Sequence, residues 1–212
     1  MDEKAGAFIV FEGIDGSGKT THHRILSQSL QNMGFDLVVT AEPTKDRIGM
    51  LIRDSIQSPS KRLPVVSEAL LFAADRFYHT KNLIEPALSA GKIVISDRYV
   101  HSSYVYQGIG GVDIEWLRNI NRFALTPDLC IYIDITPDLG QRRLKRRTRT
   151  VFEESSLQRR IRDLYLRFVD AGEMVLINGD APVSEVQRQV QRLALEKLKE
   201  LGMPRRISGI GS

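Results

Sequence analysis

Residues 13–20 read Gly-Ile-Asp-Gly-Ser-Gly-Lys-Thr and match the phosphate-binding pattern G-x-x-x-x-G-K-[ST] at every position. The apolar run at 8–11 predicts a strand before this stretch, and a helical pattern follows it from Thr20. The glycines allow the backbone to turn its N–H groups toward phosphate oxygens at the positive end of that helix. In such a loop Lys19 reaches the β- and γ-phosphates and the hydroxyl of Thr20 binds Mg²⁺. A nucleoside triphosphate is therefore the predicted ligand, with a glycine-rich turn of no function as the alternative.

Short apolar runs alternate with helical patterns along the rest of the chain. The runs that predict strands lie at 8–11, 37–39, 93–95, 129–133 and 174–177. The helical patterns lie at 20–33, 66–78, 82–90, 154–168 and 183–201. Because the apolar runs are nearly continuous, we expect strands covered on both faces. The alternation, together with the phosphate loop, predicts a three-layer α/β P-loop fold with a five-stranded parallel sheet covered by helices.

The composition is that of an ordinary globular protein. Of the 212 residues, 42% are hydrophobic and 26% are charged, and no apolar stretch approaches the ~20 residues of a membrane span. We expect one domain over residues 1–202 and a disordered tail over 203–212. The first residues are acidic where a secretion signal is basic, so we expect a cytoplasmic protein. Cys130 is the single cysteine, which excludes an intramolecular disulfide.

A strongly basic segment follows the fourth predicted strand. Its cations are Arg142, Arg143, Lys145, Arg146, Arg147 and Arg149. Taken alone, the cluster fits a solvated helix end or a nucleic-acid patch as well as a clamp on polyphosphate. Beside a phosphate loop we favour a lid at about 142–153, because arginines that close over a transferring phosphoryl group act where negative charge develops. The net charge is only +4, and we expect neither a nucleic-acid partner nor a membrane partner.

The dipeptide Asp97-Arg98 ends the predicted strand at the edge of an α/β sheet where ligands bind. A carboxylate there can hold Mg²⁺ directly or through water, and an adjacent arginine can bind a phosphate through two hydrogen bonds. A surface ion pair is the alternative. A GTPase is not indicated, because Thr44-Lys45-Asp46 lacks the spacer of the guanine-reading motif. These features favour a small kinase with a second phosphate site.

Six stretches extend this interpretation to a family. They are Phe-Glu-Gly-Ile-Asp-Gly-Ser-Gly-Lys-Thr-Thr (11–21), Glu-Pro (42–43), Leu-Leu-Phe-Ala-Ala-Asp-Arg (70–76), Ser-Asp-Arg-Tyr (96–99), Ser-Ser-Tyr-Val-Tyr-Gln-Gly (102–108) and Tyr-Ile-Asp-Ile-Thr-Pro (132–137). With these stretches in this order, the chain resembles the thymidylate kinases over residues 8–201. The resemblance implies ATP as the donor, dTMP as the acceptor, Mg²⁺ as the cofactor and a homodimer.

The resemblance also implies how the acceptor is held. Phe72 would stack on the thymine ring, and Arg76 and Arg98 would bind the acceptor phosphate. If the resemblance is set aside, the sequence fits a core aromatic residue at Phe72 equally well. Likewise, Arg76 is equally well the partner of Asp75 or Glu68 in a surface ion pair.

Further acceptor contacts are implied by single positions. Asp15 would contact the sugar 3′-hydroxyl or the magnesium region, and Glu42-Pro43 would shape the loop beside the sugar. Ser103 would meet the base edge, Tyr106 would crowd the 2′ carbon and disfavour ribose, and Gln107 would contact base or sugar. Apart from the family, 102–107 is a helix start with a half-buried tyrosine.

The donor side carries one departure from the family pattern. Some members have an arginine after the acidic residue of the loop, where this chain has Gly16. The resemblance implies that a chain without that arginine takes its catalytic cation from the lid. We expect Arg149 to be that cation, with Arg147 as second choice, beside Lys19 and Arg98. Replacing Arg149 by Ala is expected to lower kcat by roughly 10³-fold or more. The implied ATP-binding residues are Gly13, Asp15, Gly16, Ser17, Gly18, Lys19, Thr20, Thr21 and Arg143, the last packing on adenine, and the implied metal ligands are Thr20 and Asp97.

Two other functions remain open at this point. One is another kinase of the same fold, acting on a different (deoxy)nucleotide or on a deoxynucleoside. A deoxynucleoside kinase would phosphorylate a hydroxyl, and it would need a carboxylate base rather than cations for an acceptor phosphate. A nucleic-acid-binding module would use the basic segment without turnover.

Overall fold

The sheet has five parallel strands, as the sequence predicts. The computed structural model describes residues 6–57, 59–144 and 155–204. The strands are β1 (Ala7–Glu12), β2 (Leu37–Ala41), β3 (Ile93–Asp97), β4 (Leu129–Asp134) and β5 (Val175–Asn178), in the order β2-β3-β1-β4-β5. The chain crosses to the other side of β1 after β3, so the loop after β1 lies where the strand order reverses. Ligands bind at this point in open α/β sheets.

The strand register brings the ends of three strands together. Phe11 of β1 lies opposite Asp97 of β3, which in turn lies opposite Ala41 of β2. Glu12 is the last residue of β1 and pairs with Tyr132 of β4. The side chains after these positions therefore share one edge of the sheet.

Helices connect the strands and cover the sheet. They are α1 (Lys19–Asn32), α2 (Arg47–Gln57), α3 (Val65–His79), α4 (Glu85–Ser89), α5 (Val100–Ile109), α6 (Ile114–Ile120), α7 (Pro137–Leu144), α8 (Ser155–Asp170) and α9 (Val183–Glu200). A 3₁₀ turn spans Pro59–Lys61, and a π-helical turn, Thr80–Ile84, joins α3 to α4. The predicted patterns correspond to α1, α3, the turn with α4, α8 and α9. For α5 the sequence indicates only a helix start at 102–107 and no amphipathic pattern, because residues 100–107 are all buried and a helix buried all round has no polar face.

Alternate residues of β1 build two cores. Phe8 and Val10 pack in a cluster that includes Tyr165 of α8, whereas Ile9 and Phe11 pack in a cluster that includes Leu26 of α1. This alternation follows from the two-residue period of a strand, and it gives the helix–sheet–helix layers expected of the fold.

The prediction that every strand is covered on both faces is wrong at the edges of the sheet. The central strands β1, β3 and β4 are buried almost throughout. Edge strands are less covered: Val39 of β2 is 47% exposed, and Val175 and Leu176 of β5 are each 40% exposed. Within the described ranges, none of the helices combines the length and apolar character needed to cross a membrane.

Candidate active site

The phosphate loop connects β1 to α1, as expected. Gly13, Gly16 and Gly18 all have positive φ angles, of 150°, 81° and 95°. Gly18 is the N-cap of α1 in a left-handed conformation, which a residue with a side chain adopts only with strain. Thr20 and Thr21 follow as exposed residues in the first turn of α1. The loop therefore presents its backbone at the positive end of this helix.

The loop also packs closely against α7. A Cβ built on Gly16 would lie 2.5 Å from the carbonyl oxygen of Gly140, and one built on Gly140 would lie 2.8 Å from the carbonyl oxygen of Asp15. The backbone at position 16 has neither the conformation nor the space for a side chain. This contact gives a physical reason for the absence of an arginine at this point of the loop.

Lys19 is buried beneath the loop. Its Nζ donates hydrogen bonds to the carbonyl oxygens of Gly13 at 2.8 Å and Ile14 at 2.9 Å. Burial, followed by repulsion from Arg98, lowers the pKa of Lys19 to about 8, against the opposing attraction of nearby carboxylates. Both hydrogen-bond acceptors of Lys19 are neutral. A bound triphosphate would therefore supply the anionic partner that the lysine does not have in these contacts.

Two oxygen ligands lie together beside the loop. The hydroxyl of Thr20 donates to the Oδ2 of Asp97 across 2.7 Å. Hydroxyl and carboxylate oxygens are ligands that Mg²⁺ accepts, in company with phosphate and water. Among the residues that the structure describes, no three His, Cys, Asp or Glu side chains are grouped to hold a metal ion. The pair therefore fits a magnesium ion shared with phosphate rather than a cage of protein ligands.

A cavity of about 340 Å³ opens next to the phosphate loop. It brings together eight of the nine predicted acceptor residues, and Ser103 lies behind its wall, 2% exposed. Its lining includes Asp15, Thr20, Glu42, Pro43, Arg53, Phe72, Arg76, Asp97, Arg98, Tyr99, Ser102, Tyr106 and Gln107. Residues far apart in sequence thus meet in one space beside Thr20.

Arg98 lies between the loop and this cavity. Its Nη1 donates to the Oγ of Ser102 at 3.1 Å and to the carbonyl oxygen of Gly13 at 3.3 Å, and its Nη2 donates to Asp15 and to the hydroxyl of Tyr106. Burial opposes its charge, but Tyr106, Asp15 and other neighbours together raise the pKa of Arg98 well above its ordinary value. The side chain therefore stays positively charged, and its hydrogen bonds fix the orientation of the guanidinium group.

Arg76 is placed differently from the prediction. It is fully buried, and its guanidinium donates to Glu42 at 2.9 Å, to Ser103 at 3.0 Å and to Asn121. The sequence predicts that Arg76 binds the acceptor phosphate together with Arg98, whereas in the structure the guanidinium of Arg76 contacts the wall of the cavity on the Ser103 side.

The alternative ion pairs of Arg76 are also wrong. Asp75 accepts from the backbone and hydroxyl of Thr44, and Glu68 accepts from Arg62. Both carboxylates are therefore committed to other partners.

Two buried polar atoms at this site have no hydrogen-bond partner in the described part of the chain. They are the Oγ of Ser17 in the phosphate loop and the Oε1 of Gln107 in the cavity wall. Buried polar groups are nearly always satisfied, so an unsatisfied pair at a predicted site points to a ligand. Both residues were predicted to bind, Ser17 to ATP and Gln107 to the acceptor.

The basic segment is described only at its start. Arg143 lies at the end of α7, and it donates to the carbonyl oxygens of Gly16 (3.4 Å), Ser17 (3.5 Å) and Gly179 (3.1 Å). The predicted ATP residue thus lies on the outer side of the loop. The predicted lid cations Arg147 and Arg149 lie outside the described residues, as does most of the predicted tail.

Sequence reasoning missed three residues of the site. Glu12 lies in the motif 11–21, where a charged residue that closes an apolar strand is a recognisable signal. Arg53 belongs to the unpredicted α2, and it donates to the carbonyl oxygens of Pro43 and Thr44. Ser102, the third, contacts both Glu12 and Arg98.

Comparison with known proteins adds an independent finding. A family model described as thymidylate kinase matches residues 11–190. A protein named probable thymidylate kinase from Pyrococcus abyssi is 43% identical over 205 residues, covering 93% of this chain and 99% of that protein. The probable thymidylate kinase of Thermococcus onnurineus is 41% identical, with 90% and 98% covered, and the thymidylate kinase of Caldanaerobacter subterraneus subsp. tengcongensis is 40% identical, with 92% and 97% covered.

Proposed function

The chain belongs to the thymidylate kinase family, and on that premise we propose which of its residues hold the two nucleotides. The protein is an enzyme that transfers the terminal phosphoryl group of ATP to dTMP, giving ADP and dTDP. We assign ATP to the phosphate loop and dTMP to the 340 Å³ cavity beside it.

The position of Arg98 is the observation that carries this assignment. Its guanidinium contacts Gly13 and Asp15 of the phosphate loop and, at the same time, Ser102 and Tyr106 of the cavity. A cation at the boundary of the two spaces can neutralise charge on the acceptor phosphate and on the group in transfer.

A phosphate acceptor fits the charges of the cavity better than a hydroxyl acceptor does. A phosphate dianion is already a nucleophile at neutral pH, so the reaction needs no general base. A hydroxyl would need a carboxylate free to take its proton. Of the three acidic residues that line the cavity, Asp15 is paired with Arg98 and Glu42 with Arg76, while Asp97 accepts from the hydroxyl of Thr20 at the proposed magnesium site. The pairing argues against the deoxynucleoside kinase alternative.

On the donor side, we assign the β- and γ-phosphates to the loop amides, the Ser17 hydroxyl and Lys19. Arg143 would lie against adenine, since it already contacts the outer side of the loop. Thr20 and Asp97 would hold Mg²⁺, which supplies positive charge between the phosphates of the donor. Arg149 or Arg147 would add the remaining cation from the lid.

On the acceptor side, Phe72 forms a half-buried wall suited to stacking, and Gln107 offers an unsatisfied oxygen to the base or sugar. The hydroxyl of Tyr106 accepts a hydrogen bond from Arg98, whose guanidinium also lies over the tyrosine ring. These contacts make the ring a rigid surface beside the sugar. We place Arg76 with Ser103 at the base end of the cavity, and Arg98 alone at the phosphate.

An exposed apolar stripe supports a homodimer. Val66, Leu70 and Phe77 recur on one side of α3 and are 46–49% exposed, and Met50 and Leu51 of the adjacent α2 are 54% and 51% exposed. Such a patch on a charged protein is suited to burial against a second copy. The single, buried thiol of Cys130 fits a reducing compartment, and we place the enzyme in the cytoplasm.

The direct test is ADP release with saturating Mg-ATP and a panel of acceptors: dTMP, dUMP, dCMP, AMP and thymidine. We expect turnover with dTMP and at least 10²-fold less with thymidine, because thymidine has no phosphate for Arg98. Turnover with thymidine equal to that with dTMP would contradict the assignment of the cavity. The dUMP rate measures the selectivity that Ser103 and Gln107 provide.

A further inference from the structure

Glu12 is a buried acid to which the mechanism above gives no role. It ends β1, and its side chain is 0% exposed. Its Oε1 accepts hydrogen bonds from the backbone N–H groups of Tyr99 (2.9 Å) and Ser102 (3.1 Å), and its Oε2 accepts from the hydroxyls of Ser102 (2.7 Å) and Tyr165 (2.8 Å). A buried carboxylate is costly unless it is satisfied in this way. Two of its contacts come from Ser102, the residue that also binds Arg98.

The backbone of Arg98 needs support from its surroundings. Its φ is +73°, in the left-handed region that residues with side chains seldom adopt. Its N–H donates to the carbonyl oxygen of Phe11 at 2.9 Å. Glu12, the next residue of β1, accepts the N–H of Tyr99, which directly follows Arg98, and that of Ser102 in the first turn of α5. The carboxylate thus holds the chain immediately after the strained position, where such strain persists only under constraint.

A second link runs through side chains. The Nη1 of Arg98 donates to the Oγ of Ser102 at 3.1 Å, and that Oγ donates its own proton to Glu12. A hydroxyl has one proton, so donation to Glu12 leaves the lone pairs of Ser102 for the guanidinium. Ser102 therefore links the guanidinium of Arg98 to a carboxylate that is not among the residues lining the cavity.

We propose that Glu12 is a positioning residue that acts through Ser102 to hold Arg98 in place for the acceptor phosphate. The inference rests on the proposed function, in which Arg98 binds the phosphate of dTMP. Tyr165 of α8 adds the second hydroxyl on Glu12, so the arrangement joins β1, α5 and α8 behind one guanidinium.

The test separates the phosphate contribution from general binding. Dissociation constants of dTMP and thymidine are measured by calorimetry without ATP. The Kd of thymidine divided by the Kd of dTMP reports the contribution of the phosphate to binding. For Ser102→Ala we expect this ratio to fall about tenfold, the effect of one hydrogen bond to a charged group, with thymidine binding unchanged within about twofold. Glu12→Gln keeps the size of the side chain and is expected to lower the ratio at least as much. Tyr165→Phe leaves the Ser102 bond in place and should lower it by less than about threefold.

Two further variants make the outcome decisive. Ser27→Ala removes a buried hydroxyl that donates to the backbone of His23, far from these contacts in the hydrogen-bond network, and should leave the ratio unchanged. Arg98→Ala should abolish the phosphate contribution; if it does not, the proposed function is wrong. If it does, while Ser102→Ala and Glu12→Gln leave the ratio unchanged, the positioning role is overturned. A parallel loss of dTMP and thymidine affinity in Ser102→Ala would assign Glu12 to the fold alone and also overturn it.

Discussion

The donor and acceptor sides of this site hold their cations in different ways. On the donor side, Lys19 and Arg143 donate to backbone carbonyl oxygens. On the acceptor side, Arg76 and Arg98 each donate to a carboxylate and to side-chain hydroxyls. The donor cations therefore have neutral partners, whereas the acceptor cations are already paired with anions.

The pKa shifts follow this difference. Burial, together with Arg98, lowers the pKa of Lys19 to about 8, whereas the neighbours of Arg98 outweigh its burial and raise its pKa. The charge of the phosphate loop is thus completed by the triphosphate it binds. The acceptor site has its charges balanced and its geometry set before a nucleotide arrives, which is the property that positioning requires.

The largest effect is expected on the donor side. Lys19→Ala should abolish turnover, lowering kcat by at least about 10³-fold, because it removes the lysine to which we assign the β- and γ-phosphates. The folded protein should keep its Tm within a few degrees, since Nζ contacts only backbone carbonyl oxygens. Steady-state kinetics and calorimetric melting check the two statements together, with exposed Lys81→Ala as the control. A loss of Tm as large as the loss of activity would show that Lys19 is a structural residue.

Arg98→Ala tests the boundary between the two sides. We expect kcat/KM for dTMP to fall by about 10²- to 10³-fold, as for removal of one preorganised group at a transition state. Arg98→Lys should recover little, because a lysine cannot reproduce the forked contacts to Ser102 and Asp15. Full recovery by lysine would mean that only the charge matters and that the geometry described for Arg98 is irrelevant.

Glu42→Gln tests whether the acceptor cations depend on their anions. The change leaves Arg76 buried without its carboxylate, and His79 loses the same partner. We expect a loss of about 3 kcal/mol in the free energy of unfolding, the lower end for breaking a buried ion pair. Glu85→Gln, in an exposed pair with Lys81, should cost at most about 0.5 kcal/mol. Equal effects in denaturant unfolding would contradict the contrast between buried and exposed pairs.

Gly140→Ala gives the smallest effect and concerns the donor side alone. The added Cβ would lie 2.8 Å from the carbonyl oxygen of Asp15, so the phosphate loop must shift by a few tenths of an ångström. We expect KM for ATP to rise about threefold to tenfold, with dTMP binding unchanged. Alanine favours a helix over glycine by about 1 kcal/mol, which offsets part of the cost of this close contact, so the free energy of unfolding should fall by no more than about 2 kcal/mol. An unchanged KM for ATP would show that the loop does not depend on its contact with α7.

The same contrast explains what sequence could and could not predict. The phosphate loop is one continuous segment whose chemistry depends on spacing, so its strand and its helix follow from the residues in order, and the same spacing suggests the roles proposed for Lys19 and Thr20. The packing of Gly16 against Gly140 depends on a helix that the pattern did not reveal.

The acceptor cavity is assembled from the ends of three strands and from helices, so its residues could be named without their partners. Arg76 illustrates the difficulty, because Asp75 and Glu68 are near it in sequence but Glu42, 34 positions away, is its partner. For α5 the sequence indicates a helix start at 102–107 but not the extent of the helix, since a helix without a polar face has no amphipathic period. Residue types reveal the chemistry of such a site, whereas pairings between distant residues require the fold.

Proton uptake on ligand binding tests the contrast between the two sides most directly. At pH 8.5 a lysine with a pKa of about 8 is mostly neutral, and a bound triphosphate raises its pKa again, so the proton must come from solvent. Proton uptake is measured by calorimetric titration in two buffers of different ionisation enthalpy. We expect an uptake of about three quarters of a proton when ATP binds and a much smaller uptake when dTMP binds. The Lys19→Ala variant should take up no proton on binding ATP. Equal uptake for the two nucleotides, or none with ATP, would contradict the account of an uncompensated donor side and a balanced acceptor side.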